Sequence, residues 1–402
     1  MQLKESVKKY IDDKVDYHKQ WILEEPIVVT ERCRDEVKRL QNIMFKMITH
    51  FVNEYEQYHH LMPVSERIRK VLKMAGLRKY QPGTYRTDFV FDASGQMKLI
   101  EITCRFGMNG MFISGLMNHI AEEYRSVSWP DLEAHNLYDG LIDHLAFYLQ
   151  NKESVHVLIG EDRRNESKIF DEIFERVGLP VVFVECADVS NRLNEMKNSF
   201  IISELSFDEI LSFPDNIISE LSRLGVFNDF RTIFLIHDKR FFSVLGNLEF
   251  QTSILTEEEI AIFTKFYIPT YNRTERLDHW DDARSNKNNW IIKHRSLGKS
   301  QMVYAGIVTD ISTWNSLFED DHSKDYVLQH WIPQTKIAGQ IGHQKFEDFI
   351  TGTLLFFNDH FFGFGNFRTS SHPVTNKTDN RKMCSVILKH DSTKYAFTNI
   401  IK

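Results

Sequence analysis

The sequence predicts a mixed α/β protein in which helices lead, a β-hairpin and further helices follow, a small open parallel sheet comes next, and a strand-rich half closes the chain. Three observations carry this. Before position 80, apolar residues recur at three- and four-residue spacing, the pattern of a helix with one buried face. On either side of a turn near Ser94, apolar and polar residues alternate, as strands require. From Val155 the order becomes apolar run, amphipathic stretch, apolar run, the strand–helix–strand unit of a parallel sheet. The expected units are residues 1–80, 81–150, 151–240 and 241–402.

In the first unit Val37, Leu40, Met44, Met47, Phe51 and Tyr55 form the stripe, which the spacing assigns to a core rather than to a partner. Val64–Met74 continues it in a second helix that Gly76 ends, so that residues 1 to about 80 read as helical. The hairpin follows, TYRTDFVFDASGQMKLIEIT, turning on Asp92-Ala93-Ser94-Gly95. Pairing Asp92 with Met97 sets Val90 opposite Leu99, Asp88 opposite Glu101 and Arg86 opposite Thr103. One face then holds Phe89, Phe91, Ile100 and Ile102. The other holds Arg86, Asp88, Glu101 and Thr103 at its open end. Two facing carboxylates repel unless a cation lies between them. Such oxygen ligands suit a hard divalent ion, and a neighbouring arginine suits a phosphate oxygen that shares it. The alternative is an amphipathic hairpin whose charged face is merely solvated. Mixed helical sequence from Phe112 to Gln150 completes the unit.

The third unit opens with the strand VHVLIG, the helix EDRRNESKIFDEIFERVG and the strand LPVVFVECAD. Ser199–Ile202 and Thr232–His237 read as third and fourth strands, the fourth leading to Lys239. The loop GEDRRNES has no GxGxxG, so no dinucleotide is expected there. In the last unit Thr256 and Glu259 form a capping box that opens a helix running into IPTY. Trp290–Lys293 is an apolar strand ending in a lysine, followed by the loop HRSLGKSQ and the strand MVYAGIV. Backbone N–H groups and lysines in such a loop can cover a triphosphate. It is not a P-loop, since GxxxxGK[ST] and a directly following helix are missing. The same residues also describe a basic turn on an acidic protein. YVLQHWIP runs out through Gln329, His330 and Trp331 before a proline, an edge that could meet an adenine. TGTLLFFNDHFFGFGNFRTS places two strands around Asn358-Asp359 and reaches Arg368.

A chain of 402 residues with 42% hydrophobic and 26% charged content belongs with globular rather than disordered proteins. Its formal net charge of −7 argues against a general nucleic-acid binder. No apolar run reaches membrane-spanning length, and MQLKESVKKYIDDK lacks the apolar centre of a signal peptide. Cys33, Cys104, Cys186 and Cys384 are scattered without CxxC, which fits free thiols in a reducing compartment and a cytoplasmic location. Many of the 31 phenylalanines lie in short strand-like runs such as TLLFFNDHFFGFGNF, which read mostly as core strands.

Taken in order, the R-x-D at Arg86–Asp88, the E-x-T at Glu101–Thr103, the strand lysine, the cationic loop, the strand ending near Gln329 and the late strand with Arg368 resemble the circularly permuted ATP-grasp enzymes. Glutathionylspermidine synthase is their best-known type. The resemblance runs from about Gln81 to Arg368 and is most specific in RTDF…DASGQMKLIEIT, HDKR, IPTY, WIIKHRSLGKS and LQHWIP. It implies an ATP-grasp-like fold in permuted order, with the metal-binding strands ahead of the ATP subdomain, an open α/β pre-ATP-grasp domain and an N-terminal helical segment. By position, Asp88 and Glu101 match the magnesium carboxylates, and Arg86 the arginine that contacts the transferring phosphate. Lys293 matches the nucleotide-phosphate lysine, Lys299 lies in the phosphate-covering loop, and Gln329, His330 and Trp331 match the adenine hinge. Lys239 is implied as a further phosphate or active-site cation, and Arg368 as a residue bordering the site. Thr103 stands where the family normally has Asn. Its hydroxyl is a shorter, weaker ligand, which leaves looser metal binding, an inserted water or lost catalysis open. Arg105 and Asn109 are candidate contacts for an acidic or amino-acid substrate. Cys104 should face the apolar side and be inert.

The implied activity is an ATP-dependent carboxylate–amine ligase using ATP and Mg²⁺, with an acyl phosphate that an amine (or a thiol) then attacks. An amino acid or peptide-like acid is the implied substrate. Thr103 keeps a catalytically impaired nucleotide-binding scaffold open as an alternative, and a small-molecule kinase is the third reading. Small-molecule carboxylate and amine substrates are expected, with no nucleic acid and no membrane; a carrier protein or a homo-oligomer is left open.

Overall fold

A computed structural model describes residues 9, 13, 21–23, 25–108, 110–115, 117–118, 133–134, 137–161, 168–273, 276–298, 300–319, 324–377, 382–384, 386–389 and 400–401. The chain enters through strand β1 (Ile27–Thr30), whose last residue caps the helix Glu31–Asn53 by accepting from the Cys33 N–H. The stripe Val37, Leu40, Met44, Met47 and Phe51 is buried along that helix, and the helix Glu66–Ala75 follows. The first unit is therefore not helical throughout. Ile27, Val28 and Val29 form a strand because their partners come from the far end of the chain, a preference no local pattern displays.

The hairpin strands are β2 (Thr84–Phe91) and β3 (Met97–Thr103), followed by the short β4 (Glu133–Ala134) and the helix Leu137–Tyr148. Then β5 (Ser154–Ile159), β6 (Val181–Glu185) and β7 (Ser199–Glu204) form a parallel sheet of order β6-β5-β7. The expected fourth strand, Thr232–His237, is instead a π-helical turn, Thr232–Ile236. All five residues of the turn are buried, and a short apolar run fits a buried helix as well as a strand. The sheet position beside β7 is taken by Val226, through a single bridge to Ile201. Lys239 thus follows a helical turn rather than a strand.

The second half begins with β8 (Thr270–Asn272), after the helix Glu257–Phe266 with its capping box of Thr256 and Glu259. Next come β9 (Trp290–His294), β10 (Val303–Ala305) and β11 (Tyr326–His330), in an antiparallel sheet of order β10-β9-β11-β8. Strands β12 (Lys336–Ile341), β13 (Gln344–Phe357), β14 (His360–Phe364), β15 (Phe367–Ser370) and β16 (Lys382–Cys384) join the hairpin. They make a seven-stranded antiparallel sheet, β16-β15-β13-β2-β3, with β12 and β14 also paired to β13. Finally β17 (Val386–Lys389) and β18 (Ile400–Ile401) flank β1 in parallel, with β4 outside β17. Gly352 of β13 lies where a Cβ would come within 2.2 Å of the Phe89 ring and 2.6 Å of Phe367, so the core aromatics occupy the space a side chain would need. Among the described residues no helix is long and apolar enough to cross a membrane.

Candidate active site

The two halves of the hairpin meet at its open end as the alternation requires, Arg86 opposite Thr103 and Asp88 opposite Glu101. Beyond that pair the register slips by one, so that Phe89 faces Leu99, Val90 faces Lys98 and Phe91 faces Met97. The expected pairs Val90–Leu99 and Asp92–Met97 do not form. Ile100 is the extra residue of a β-bulge, and Leu99 and Met97 take its expected place in the core. This change serves the site. Ile100 joins the cleft wall, and its carbonyl, left outside the ladder, accepts from Lys293 Nζ at 2.9 Å.

Two carboxylates stand among four cations. Arg86 Nε donates to Asp88 Oδ1 at 2.7 Å, and Arg368 Nη2 reaches Asp88 Oδ2 at 2.8 Å from β15, two strands away across β13. Glu101 accepts from the Thr103 hydroxyl at 3.2 Å and lies 3.8 Å from Lys239 Nζ. Burial opposes ionisation of Glu101, but Lys239, Lys293 and Arg86 together outweigh it and hold the carboxyl below its ordinary value. Lys293 comes from β9 and is 5% exposed; its ammonium also donates to Gln329 Oε1 at 2.7 Å, and Gln329 in turn donates to Thr270. Burial pushes Lys293 down to about 8, Lys239 adding to the shift while Glu101 and Asp88 oppose it.

Arg86, Asp88, Glu101, Lys293, Gln329, His330, Trp331 and Arg368 all line one cleft of about 780 Å³ between the seven-stranded sheet and the β8–β11 sheet. At the strand exit the His330 ring stacks on Trp290 with centroids 4.1 Å apart. The His330 and Trp331 N–H groups are bonded to the Pro269 and Asn289 carbonyls. Neither N–H is therefore free to donate into the cleft.

Other expected residues do not line the cleft itself. Lys239 is 5% exposed behind the loop after β9, where its Nζ donates to the Leu297 carbonyl and its N–H to the Arg295 carbonyl. Arg105 Nε donates to the Leu205 carbonyl and the guanidinium lies 4.4 Å from the Phe106 ring centroid, turned toward the end of β7. Thr103 reaches the site through Glu101. Asn109 and Lys299 lie outside the described residues. Cys104 is buried, and burial raises its thiol pKa well above the usual value. Sequence reasoning missed Asn228, whose amide donates to the Thr84 and Cys104 carbonyls and so ties the ends of β2 and β3 together. It also missed Asp238, which anchors Arg240 and Arg295 beside the loop. The HDKR string held the signal for Asp238; nothing local signalled Asn228.

A family model described as the AnkG N-terminal domain matches residues 39–235, just under half of the chain. A comparison with curated protein sequences finds no match. Among solved structures, a glutathione synthetase-like effector from Globodera pallida, in its apo form, matches with a TM-score of 0.55 and 12% identity. The match covers 97% of this chain and 100% of that one. At such identity the likeness speaks for the fold alone: the chain has an ATP-grasp-like α+β fold.

Proposed function

We propose that the protein is an ATP-dependent carboxylate–amine ligase that works through an acyl phosphate. The observation that carries this is the ring of Arg86, Arg368, Lys239 and Lys293 around Asp88 and Glu101, at one end of a cleft whose other end is a strand exit. Four cations against two carboxylates leave an excess of positive charge that suits a polyphosphate. Lys293 spends two of its three donors on Ile100 and Gln329, which fix its direction and leave one for a phosphate oxygen. Arg86 and Arg368, both oriented by Asp88, face the same space and offset charge as a phosphoryl group passes to a substrate carboxylate. An amine, or a thiol, then displaces phosphate. The amino-acid or peptide-like nature of the acid and the permuted family type rest on the sequence resemblance; a cytoplasmic location rests on the four free cysteines, which suit a reducing compartment.

Among the described residues no three His, Cys, Asp or Glu side chains converge as a metal set. The three candidate ligands Asp88, Glu101 and Thr103 nevertheless offer only oxygens. Each carboxylate oxygen has two lone pairs, so Asp88 keeps acceptor capacity beside its arginine bonds, and the set fits a hard cation arriving with phosphate. Asp88, Glu101 and Thr103 would hold Mg²⁺, which when bound supplies charge neutralisation between phosphate oxygens.

One observation favours a second reading, a nucleotide-binding scaffold without turnover: both arginines already bind Asp88, and Thr103 is spent on Glu101. ADP release with ATP, Mg²⁺ and pooled amino acids and amines separates the two. Release that needs both an acid and an amine supports the ligase. Nucleotide binding without any release supports the scaffold, and release with a stable phosphorylated product and no amine supports a kinase.

A further inference from the structure

A second cavity of about 670 Å³ lies apart from the cleft, between the end of the helix Glu66–Ala75, the helix Leu137–Tyr148 and the edge of β7. Its wall carries Arg78, Lys79 and Lys152, and among the described residues none of the three is ion-paired. The carboxylate on the same wall, Asp229, is already matched: it accepts from the Arg231 backbone N–H, from Nε at 2.9 Å and from Nη2 at 2.7 Å. Phe200 and Phe227 form an apolar floor with ring centroids 4.9 Å apart, and Tyr148 packs on both at 5.9 Å. Ser222 is also on the wall, its hydroxyl buried without a hydrogen-bond partner among the described residues.

Like charges gathered at a cavity repel, and each is easier to hold there with an anion between them. Burial, reinforced by Arg78, already pushes the Lys152 ammonium below its ordinary value. A buried hydroxyl without a partner is costly in the same way. The backbone also makes room for the cation: Gly225 has a φ of +92°, and a Cβ there would fall 1.2 Å from an Arg78 guanidinium nitrogen. Any larger residue at 225 would expel that side chain from the wall.

We propose that this cavity binds a small organic anion, its phosphate or carboxylate group held by Arg78 and Lys152 and its apolar body lying on Phe200 and Phe227. The arginine fork suits either headgroup, and the phenyl floor favours a ligand with a flat apolar part over a bare inorganic ion. The site is separate from the ATP-grasp cleft, and its chemistry does not depend on what the cleft catalyses.

Calorimetric titration of the full chain at constant ionic strength, with phenyl phosphate, benzoate and inorganic phosphate as probes, tests this. One of the two aromatic anions should saturate a single site more tightly than inorganic phosphate does, and the tighter of the two identifies the headgroup. Arg78→Gln and Lys152→Gln should each weaken that binding roughly ten- to a hundredfold, the loss of one charge-assisted bond. Without ligand, neither variant should melt below wild type, because each removes a repelling charge. Lys293→Ala, in the other cleft, should leave the affinity unchanged. Absence of saturation, equal affinity in wild type and both cavity variants, or loss only in Lys293→Ala would overturn the proposal.

Discussion

Lys293 concentrates several constraints in one side chain. It is buried, donates to Ile100 and Gln329, and faces both carboxylates and Lys239. Lys293→Ala should weaken binding of an ATP analogue roughly ten- to a hundredfold by calorimetry, as expected for one charge-assisted contact. It should also cost about 1–3 kcal/mol of stability in urea, because the Gln329 and Ile100 oxygens lose their donor. Unchanged affinity in a folded variant would remove the lysine from the proposed phosphate site. The pH dependence follows from its folded value of about 8, below the unfolded value near 10.5. Between these values the unfolded chain binds more protons, so this group makes stability rise with pH there. A bound polyanion favours the ammonium, so nucleotide binding near pH 8.5 should take up protons. Titrations in two buffers of different ionisation enthalpy would measure the uptake, and Lys293→Ala should lack it. The identity of Lys293 as a strand-end lysine was legible in WIIK; its partners on β3 and β11 were not, because they lie 193 and 36 residues away in sequence.

At the scale of elements, the hairpin sets what the carboxylates can do. Its bulge was half visible: apolar residues at 97 and 99 change phase to 102, with Ile100 between them, and strict alternation cannot hold across that step. The open end kept its pairing because it lies on the far side of the bulge from the turn. Thr103→Asn offers a longer carbonyl ligand beside Glu101 and should lower the magnesium concentration for half-maximal ADP formation in an active enzyme. Asp88→Ala should abolish turnover. A magnesium titration of the three proteins decides, and equal turnover in wild type and Asp88→Ala would move the chemistry to another place. On the neighbouring strand β13, Gly352→Ala would force a methyl group into the Phe89 and Phe367 rings. Overpacking of this kind should cost about 1–3 kcal/mol in urea denaturation. A neutral effect would mean that the rings shift freely.

For the molecule as a whole, β1 is the element whose partners are most remote. It pairs in parallel with β17 and β18, so the first described strand is completed by the last two. Val386 and Leu388 are almost fully buried in that arrangement, and each such side chain contributes about 1.5–3 kcal/mol. Deleting residues 385–402 should therefore lower stability by roughly 3 kcal/mol or more and expose Ile27–Val29 to a hydrophobic dye. A truncated chain melting like wild type would mean that this sheet adds nothing to the core.

The sequence by itself determined the elements whose signal is local. The apolar stripe of the first long helix, the capping box at Thr256, the turn at Asp92–Gly95 and the parallel unit from Val155 each depend on residues within a few positions of one another. The alternation also placed Asp88 opposite Glu101, although that pairing is reached only because the bulge at Ile100 offsets the one-residue slip nearer the turn. Tertiary structure alone decided the rest. Thr232–Ile236 became a π-helical turn, and IVVT became a strand, because short apolar runs take the form their distant neighbours allow. In the same way Arg368 came to Asp88 across an intervening strand, and Arg78, Lys79 and Lys152 gathered at the second cavity. Local preference spans a few residues; charges and strand edges find partners only when the folded chain brings them close.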